Sequence, residues 1–140
     1  MDITLKFTNW QDDIEALKTI REIVFIKELG IPAPLEWDEH DAKAIHLLAL
    51  NSEVCPIGTG RLLQNGQIGR IAVKKEFRHQ GIGTALLDAL VNQASIKGFQ
   101  SVFLYAQLQA VSLYQRRGFT AVGKVFEKAS IPHQKMQYHC

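Results

Sequence analysis

The chain reads as an α/β protein of the α+β kind, with a mixed, mostly antiparallel twisted sheet, a central parallel strand pair, and flanking helices. Three observations predict this. Apolar runs at 44–50, 54–64 and 67–73 are joined by short polar turns, so these strands pair antiparallel. An amphipathic run from Gly81 to Lys97 then separates 67–73 from another apolar run, Ser101 to Gln107, and a strand–helix–strand unit makes a parallel pair through a right-handed crossover. Further helical periodicity before residue 30 and after residue 108 supplies the layers that cover the sheet.

Each element has a local reason. Ile3 to Phe7 alternates as a short strand. Asp12 opens a helix, with Glu15 three positions on in a capping-box arrangement, and Ile14, Leu17, Ile20 and Val24 follow at helical spacing. That helix is expected to end near Gly30, because Ile31-Pro32-Ala33-Pro34 cannot continue it. The next run, Pro34 to Asp41, carries four acids in six residues around Trp37, and reads either as a loop beside a substrate or as a solvated connector. Asn51-Ser52-Glu53 and Asn65-Gly66 join the three strands, the latter a hairpin signal because both residues tolerate positive φ. Gly98 stops the long helix, and a second helix over roughly 109–117 leads through Gly118 to strands near Phe119 to Glu127 and Gln134 to His139.

At 140 residues, 46% hydrophobic and 21% charged, the chain is expected to form one domain over 1–140. It contains no apolar run of membrane-spanning length and no signal-peptide pattern at the start. Cys55 and Cys140 make neither a disulfide framework nor a CxxC, which suits a reduced, cytoplasmic setting. The net charge of +2 conceals an asymmetry: residues 1–41 hold ten acids against four bases, and the remainder four acids against twelve bases. An acidic front facing a basic back fits a polyanionic cofactor on one side and a cationic acceptor on the other, while the plainer reading is that the charges solvate a helix and a loop. The basic residues are dispersed, which disfavours nucleic acid as a partner. No His or Cys pair has metal-ligand spacing, so no metal site is expected.

The chemistry is expected around Val73 to Leu87. A strand there passes through Lys74-Lys75-Glu76-Phe77-Arg78-His79-Gln80 into a helix whose first turn holds Gly81 and Gly83 and no acid. The first N–H groups of a helix lack partners and lie at the positive end of its dipole, so they bind an anion with the main chain alone. Glycines let that anion approach, and Arg78 adds positive charge at the mouth; the plainer alternative is a tight turn. There is no Walker loop, and Leu86 stands where a dinucleotide fingerprint needs a small residue.

Arg78-x-x-Gly81-x-Gly83 resembles the Q/R-x-x-G-x-G/A pyrophosphate loop of the GNAT superfamily of acyl-CoA N-acyltransferases. Ala110-Val111-Ser112-Leu113-Tyr114-Gln115-Arg116-Arg117-Gly118-Phe119 is similar to that family's A-x-x-F/L-Y-x-x-x-G-F segment, at a matching distance along the chain. Glu36-Trp37-Asp38 and Ile131-Pro132-His133-Gln134-Lys135-Met136 resemble segments of its small bacterial ElaA-like members.

The resemblance implies an acetyl-CoA-dependent N-acetyltransferase. It would act by direct transfer in a ternary complex on the primary amine of a small cationic molecule. Ile71, Ala72, Val73, Arg78, His79, Gln80, Gly81, Ile82, Gly83, Thr84 and Gln107 would contact acetyl-CoA, with a main-chain N–H near Ala72 or Val73 on the thioester carbonyl. Tyr114 matches the tyrosine that serves the leaving thiolate; the plainer reading is a core tyrosine beside apolar Leu113 and Phe119. Glu36, Asp38 and His133 are the candidate bases or acceptor contacts. Neither cysteine lies beside the loop or Tyr114, so no acyl-cysteine intermediate is indicated. Many members of the family are dimers, and a final strand exposed at 133–139 could pair across a two-fold, so a homodimer is one assembly the resemblance allows. The alternatives are acetylation of a peptide or protein amine, and a non-catalytic acyl-CoA sensor.

Overall fold

Alternation of side chains decides the first half of the fold. In the computed structural model, which describes residues 2–31 and 38–140, β1 (Thr4–Thr8), β2 (Ile45–Leu50), β3 (Pro56–Leu62) and β4 (Ile68–Val73) form a four-stranded sheet in that order. Every neighbouring pair is antiparallel. Leu47 and Ala49 of β2 face one side, onto Leu86 and Leu90 of the long helix α2 (Ile82–Ile96). Leu48 faces the other side, with Ala72 of β4, against Leu17, Ile20 and Val24 of the first helical layer.

That layer is α1 (Ile14–Arg21) continued by a π-helical segment (Glu22–Glu28). The wider turn shows in Leu29 N–H reaching the carbonyl of Val24, five residues back. Gly30 ends the run at φ 75°, as the following prolines lead one to expect. The expected capping box is not formed. The N-cap is Asp13, its side chain caps nothing, and its carboxylate is held by Thr8 and Lys6 of β1. Asp12 bonds Asn9 instead. Side chains of β1, and of Asn9 just beyond it, reach these acids before the helix amides do.

The Asn65-Gly66 connection closes a hairpin, but with one positive φ rather than two. Gly66 alone is left-handed, Gly66 N–H bonds the Leu63 carbonyl, and the Asn65 side chain accepts from Gln67 N–H. This matches the three-residue hairpin loop in which a left-handed residue follows a type I turn.

At its far end α2 stops at Gly98, φ 88°, with Phe99 N–H on the Ala94 carbonyl and Gly98 N–H on that of Ser95. The chain returns through β5 (Ser101–Gln107), α3 (Val111–Arg116), β6 (Thr120–Lys128) and β7 (Ile131–His139). These strands form a second sheet in the order β5-β7-β6. The final strand therefore does not lie exposed for pairing across a two-fold. It fits between β5, in register from Ser101↔His139 to Gln107↔His133, and β6. Among the described residues the outer edge of this sheet is β6, and its other edge, β5, borders β4.

The central parallel pair is reduced to one contact. Gln67 bridges Phe103, and Phe103 N–H bonds the Gly66 carbonyl at 3.0 Å. Beyond that bridge β4 and β5 share no ladder, and the gap between them opens toward the C-terminal ends of both strands. In open sheets this is the place where ligands bind.

Candidate active site

Two clefts meet at this gap. One, of about 620 Å³, runs along β4 and over the N-terminus of α2. The other, of about 340 Å³, lies between β4 and β5 on the far side. Phe25, Ile71 and Tyr114 line both, so they form the wall where the clefts join.

The first cleft is built for an anion. Gly81 is the N-cap of α2 at φ 80°, the first turn holds no acid, and no side chain caps it. The first intrahelical bond runs from Ala85 N–H to the Gly81 carbonyl, so the amides of Ile82, Gly83 and Thr84 are available to a ligand. His79, at φ 64°, adds a second left-handed residue just before, the alternating geometry of an anion-binding main-chain concavity. A Cβ at Gly83 would meet only Val73 Cγ2, at 4.0 Å, and would otherwise stand in the cleft; protein packing does not demand a glycine there, whereas a ligand pressed against the helix end would. These residues fit the diphosphate of an acyl-CoA.

Arg78 does something the loop pattern did not suggest. Its guanidinium pairs with Glu28 of the π-helical segment at 2.7 and 3.0 Å, and its Nε donates to the Val73 carbonyl at 2.9 Å. The hydrogen bonds and charge of Arg78 hold the Glu28 carboxyl below its usual range. The positive charge expected at the mouth is thus balanced within the protein, and Arg78 ties the loop to both β4 and the helix above it. Gln80 is exposed and does not line the cleft, and Gln107 lines the second cleft instead.

Between the clefts β4 carries a bulge. Thr59 pairs with Ala72 and Arg61 with Gly69, so Arg70 and Ile71 together oppose Gly60. Arg70 takes φ 51°, a left-handed conformation that costs a residue with a side chain about 1–2 kcal/mol. A Cβ at Gly60, opposite, would lie 2.9 Å from Leu90 Cδ1 and 3.3 Å from Ile71 Cγ1, so those side chains would have to shift. Lys74 N–H bonds the Ile57 carbonyl. By antiparallel alternation Ala72 therefore turns its main chain to β3, while Val73 and Ile71 turn theirs to the gap. Of the two amides expected on a carbonyl, Val73 faces the right way and Ala72 does not; Ile71, in the bulge, joins it.

Tyr114 is half-buried at the start of this gap, edge-on to Phe119 at 6.0 Å between ring centres. Burial pushes its phenol pKa up, and no charge or hydrogen bond among the described residues offsets that, so it remains a proton donor. Its neighbour Leu113 is not core: it is 39% exposed and lines the first cleft, whereas Phe119 is buried.

The three candidate bases separate. Glu36 lies outside the described residues. Asp38 accepts both guanidinium nitrogens of Arg61 at 2.8 Å and contacts Arg70 at 3.4 Å, and it also accepts from His40 N–H. Burial raises its pKa, but Arg61 and then Arg70 outweigh that and leave it below the ordinary value, which suits an ion-pair partner and not a base. His133 lines the second cleft, stacked on Phe126. Its Nδ1 lies 2.7 Å from the Ile131 carbonyl, which can only accept, so Nδ1–H donates there and, in the neutral ring, Nε2 is the acceptor.

Asp38 belongs to a buried set that sequence reading missed. Asp41, from the 3₁₀ turn Asp41–Lys43, accepts from Arg21 of α1 at 2.7 and 3.2 Å and from Arg61 at 2.8 Å. Arg21, Asp41 and Arg61 are all nearly inaccessible to water. The signal was an arginine in the apolar phase of three elements: Arg21 in α1, Arg61 in β3 and Arg70 in β4.

Comparison with known proteins agrees with this geometry. Residues 24–140 match the family model described as an acetyltransferase (GNAT) domain. A Bacillus subtilis protein named as the uncharacterized N-acetyltransferase YjcF is 36% identical over 121 residues, 84% of this chain and 86% of that one. Among solved structures, an acyl-CoA N-acyltransferase from Pseudomonas aeruginosa superposes with a TM-score of 0.86 at 26% identity, over 98% of this chain and 99% of that one. Escherichia coli ElaA superposes with 0.87 at 23% identity, over 99% of this chain and all of the other, a likeness of fold.

Proposed function

The chain belongs to the acetyltransferase (GNAT) family, and we propose that it carries an acetyl group from acetyl-CoA directly to the primary amine of a small cationic molecule, with both substrates bound at once. The observation that carries this reading is the pair of clefts meeting at Ile71 and Tyr114. An acyl donor in the first and an amine in the second would face each other across one wall, with no cysteine needed between them. Bound acetyl-CoA would supply an acetyl group activated as a thioester.

The chain's own residues divide the remaining work. The amides of Ile82, Gly83 and Thr84 hold the diphosphate, and Ile71 and Val73 offer main-chain N–H groups toward the carbonyl oxygen, where a fixed donor acts most strongly on charge that develops during reaction. Tyr114 Oη donates to the sulfur. A phenol near pKa 10 is already a weaker acid than a thiol near 8.5, and burial widens that difference, so Tyr114 stabilises the thiolate by hydrogen bonding rather than by full proton transfer. His133 Nε2 takes the ammonium proton, directly or through water. Within the acidic run, Asp38 and Asp41 are neutralised by arginines and Glu39 lines a different cleft with His40. Of the acids expected to meet a cationic amine, Glu36 is the one that remains a candidate.

The test is a thiol-release screen of primary amines with acetyl-CoA. Small di- and polyamines are expected to give turnover, Glu36→Gln is expected to raise KM for them, and His133→Gln to lower kcat by about 10²-fold or more. Coenzyme A binding without thiol release from any amine would instead support a sensor.

A further inference from the structure

The bulge in β4 places the amides that face the gap, and it depends on a residue with a side chain holding a conformation that favours glycine, Arg70 at φ 51°. Something must keep it there. Arg61 lies directly opposite Gly69, one step from the bulge on the facing strand. Its guanidinium grips both oxygens of Asp38 at 2.8 Å, and the Asp38 Oδ2 that takes one of those bonds also meets Arg70 Nη2 at 3.4 Å. One carboxylate therefore staples β3 to β4 across the point where their register slips. Arg61 is itself fixed from behind: Asp41 shares its Nη1 at 2.8 Å and is held by Arg21, with all three groups buried.

We infer that Asp38 is a positioning residue for acetyl transfer: through Arg61 and Arg70 it holds residue 70 left-handed, and so keeps the Ile71 and Val73 amides aimed at the gap between β4 and β5. This rests on the proposed acetyl transfer for its kinetic consequence but not for its structural one. Asp38 touches neither substrate in this role; it acts through the backbone of β4. Glycine adopts positive φ without strain, so a chain with glycine at position 70 no longer needs the staple.

The experiment places Asp38→Asn in two backgrounds, the natural chain and Arg70→Gly, with Asp38→Ser as a second variant if the amide does not fold. Acetyl-CoA affinity, kcat and KM are measured for each, and the backbone amide resonances of Ile71, Ala72 and Val73 are recorded without ligand. In the natural background kcat is expected to fall about 10- to 100-fold, the scale of a misplaced reacting group, with acetyl-CoA affinity unchanged. The Ile71 and Val73 resonances are expected to shift. In the Arg70→Gly background the same substitution is expected to leave kcat within about twofold and those resonances in place. An equal loss of kcat in both backgrounds, or unmoved Ile71 and Val73 resonances in the natural one, would overturn the inference. If the natural protein acetylates no amine, the proposed function fails separately, and the resonances alone still decide whether Asp38 holds the bulge.

Discussion

Tyr114 illustrates what a single residue type and its surroundings decide. Its place after an apolar helix turn and before Gly118-Phe119 was legible in the sequence, because the local segment orders it: Phe119 N–H bonds the Tyr114 carbonyl and the two rings meet edge-on. Its exposure to both clefts was not legible, since that depends on β4 and β5 separating. Tyr114→Phe is expected to lower kcat by about 10²-fold, the usual effect of removing one donor to developing charge, while leaving coenzyme A affinity as it was. Steady-state kinetics with calorimetry on the same preparations separates these. The acids of the front segment were harder to read. Asp38 and Asp41 stand in a run that looks like a solvated wall, and their partners Arg61 and Arg70 lie 20 or more positions away. A charge pattern along the chain carries no information about which opposite charge will be buried with it.

At the level of elements, the strands, the long helix and its glycine stop follow from periodicity, and the phosphate loop follows from the absence of acids in the first turn of α2. Three features escape such reasoning because they depend on long-range pairing: the bulge in β4, the insertion of β7 between β5 and β6, and the π-helical turn over Glu22–Glu28. That last feature carries Glu28 over the loop, where it pairs with Arg78. Glu28→Gln removes a negative charge near the diphosphate site and frees Arg78 to meet it. Coenzyme A is expected to bind more tightly, by a few-fold at most at low salt, and the gain should shrink as salt is added. Weaker binding would mean that the pair matters more for holding the loop than for competing with the ligand.

For the whole molecule, the buried ion network joins both helical and sheet layers of the front half, and stability should follow its protonation. Breaking it at Asp41→Ala, which leaves Arg21 and Arg61 short of a counter-charge, is expected to cost about 3–5 kcal/mol in chemical denaturation. His46 is buried beside it, with Nε2 2.9 Å from the Asp41 carbonyl and Trp10 against its ring. Burial first, and then the nearby Arg21 and Arg61 charges, lower its pKa against the opposing pull of Asp41. The folded protein therefore binds this proton less readily than the unfolded chain does. Stability is complete above about pH 6.5 and declines as pH falls through that value toward the lowered folded pKa, with a slope of at most about 1.4 kcal/mol per pH unit. His46→Gln, which keeps a donor for the Asp41 carbonyl, is expected to remove that slope. Asp38 and Asp41, both depressed, contribute stability above about pH 4 and lose it as pH falls further through their folded values.

All of this presumes that the helix end at Gly81 to Thr84 is where an acyl-CoA is gripped. Titration with coenzyme A, following backbone amides in the natural protein and in Gly83→Val, decides it. Ile82, Gly83 and Thr84 are expected to move together with Ile71 and Val73 in the natural chain, and the valine is expected to weaken binding by about 10²-fold, roughly 2.7 kcal/mol. Perturbation of a different surface, or undiminished affinity with valine at position 83, would contradict it.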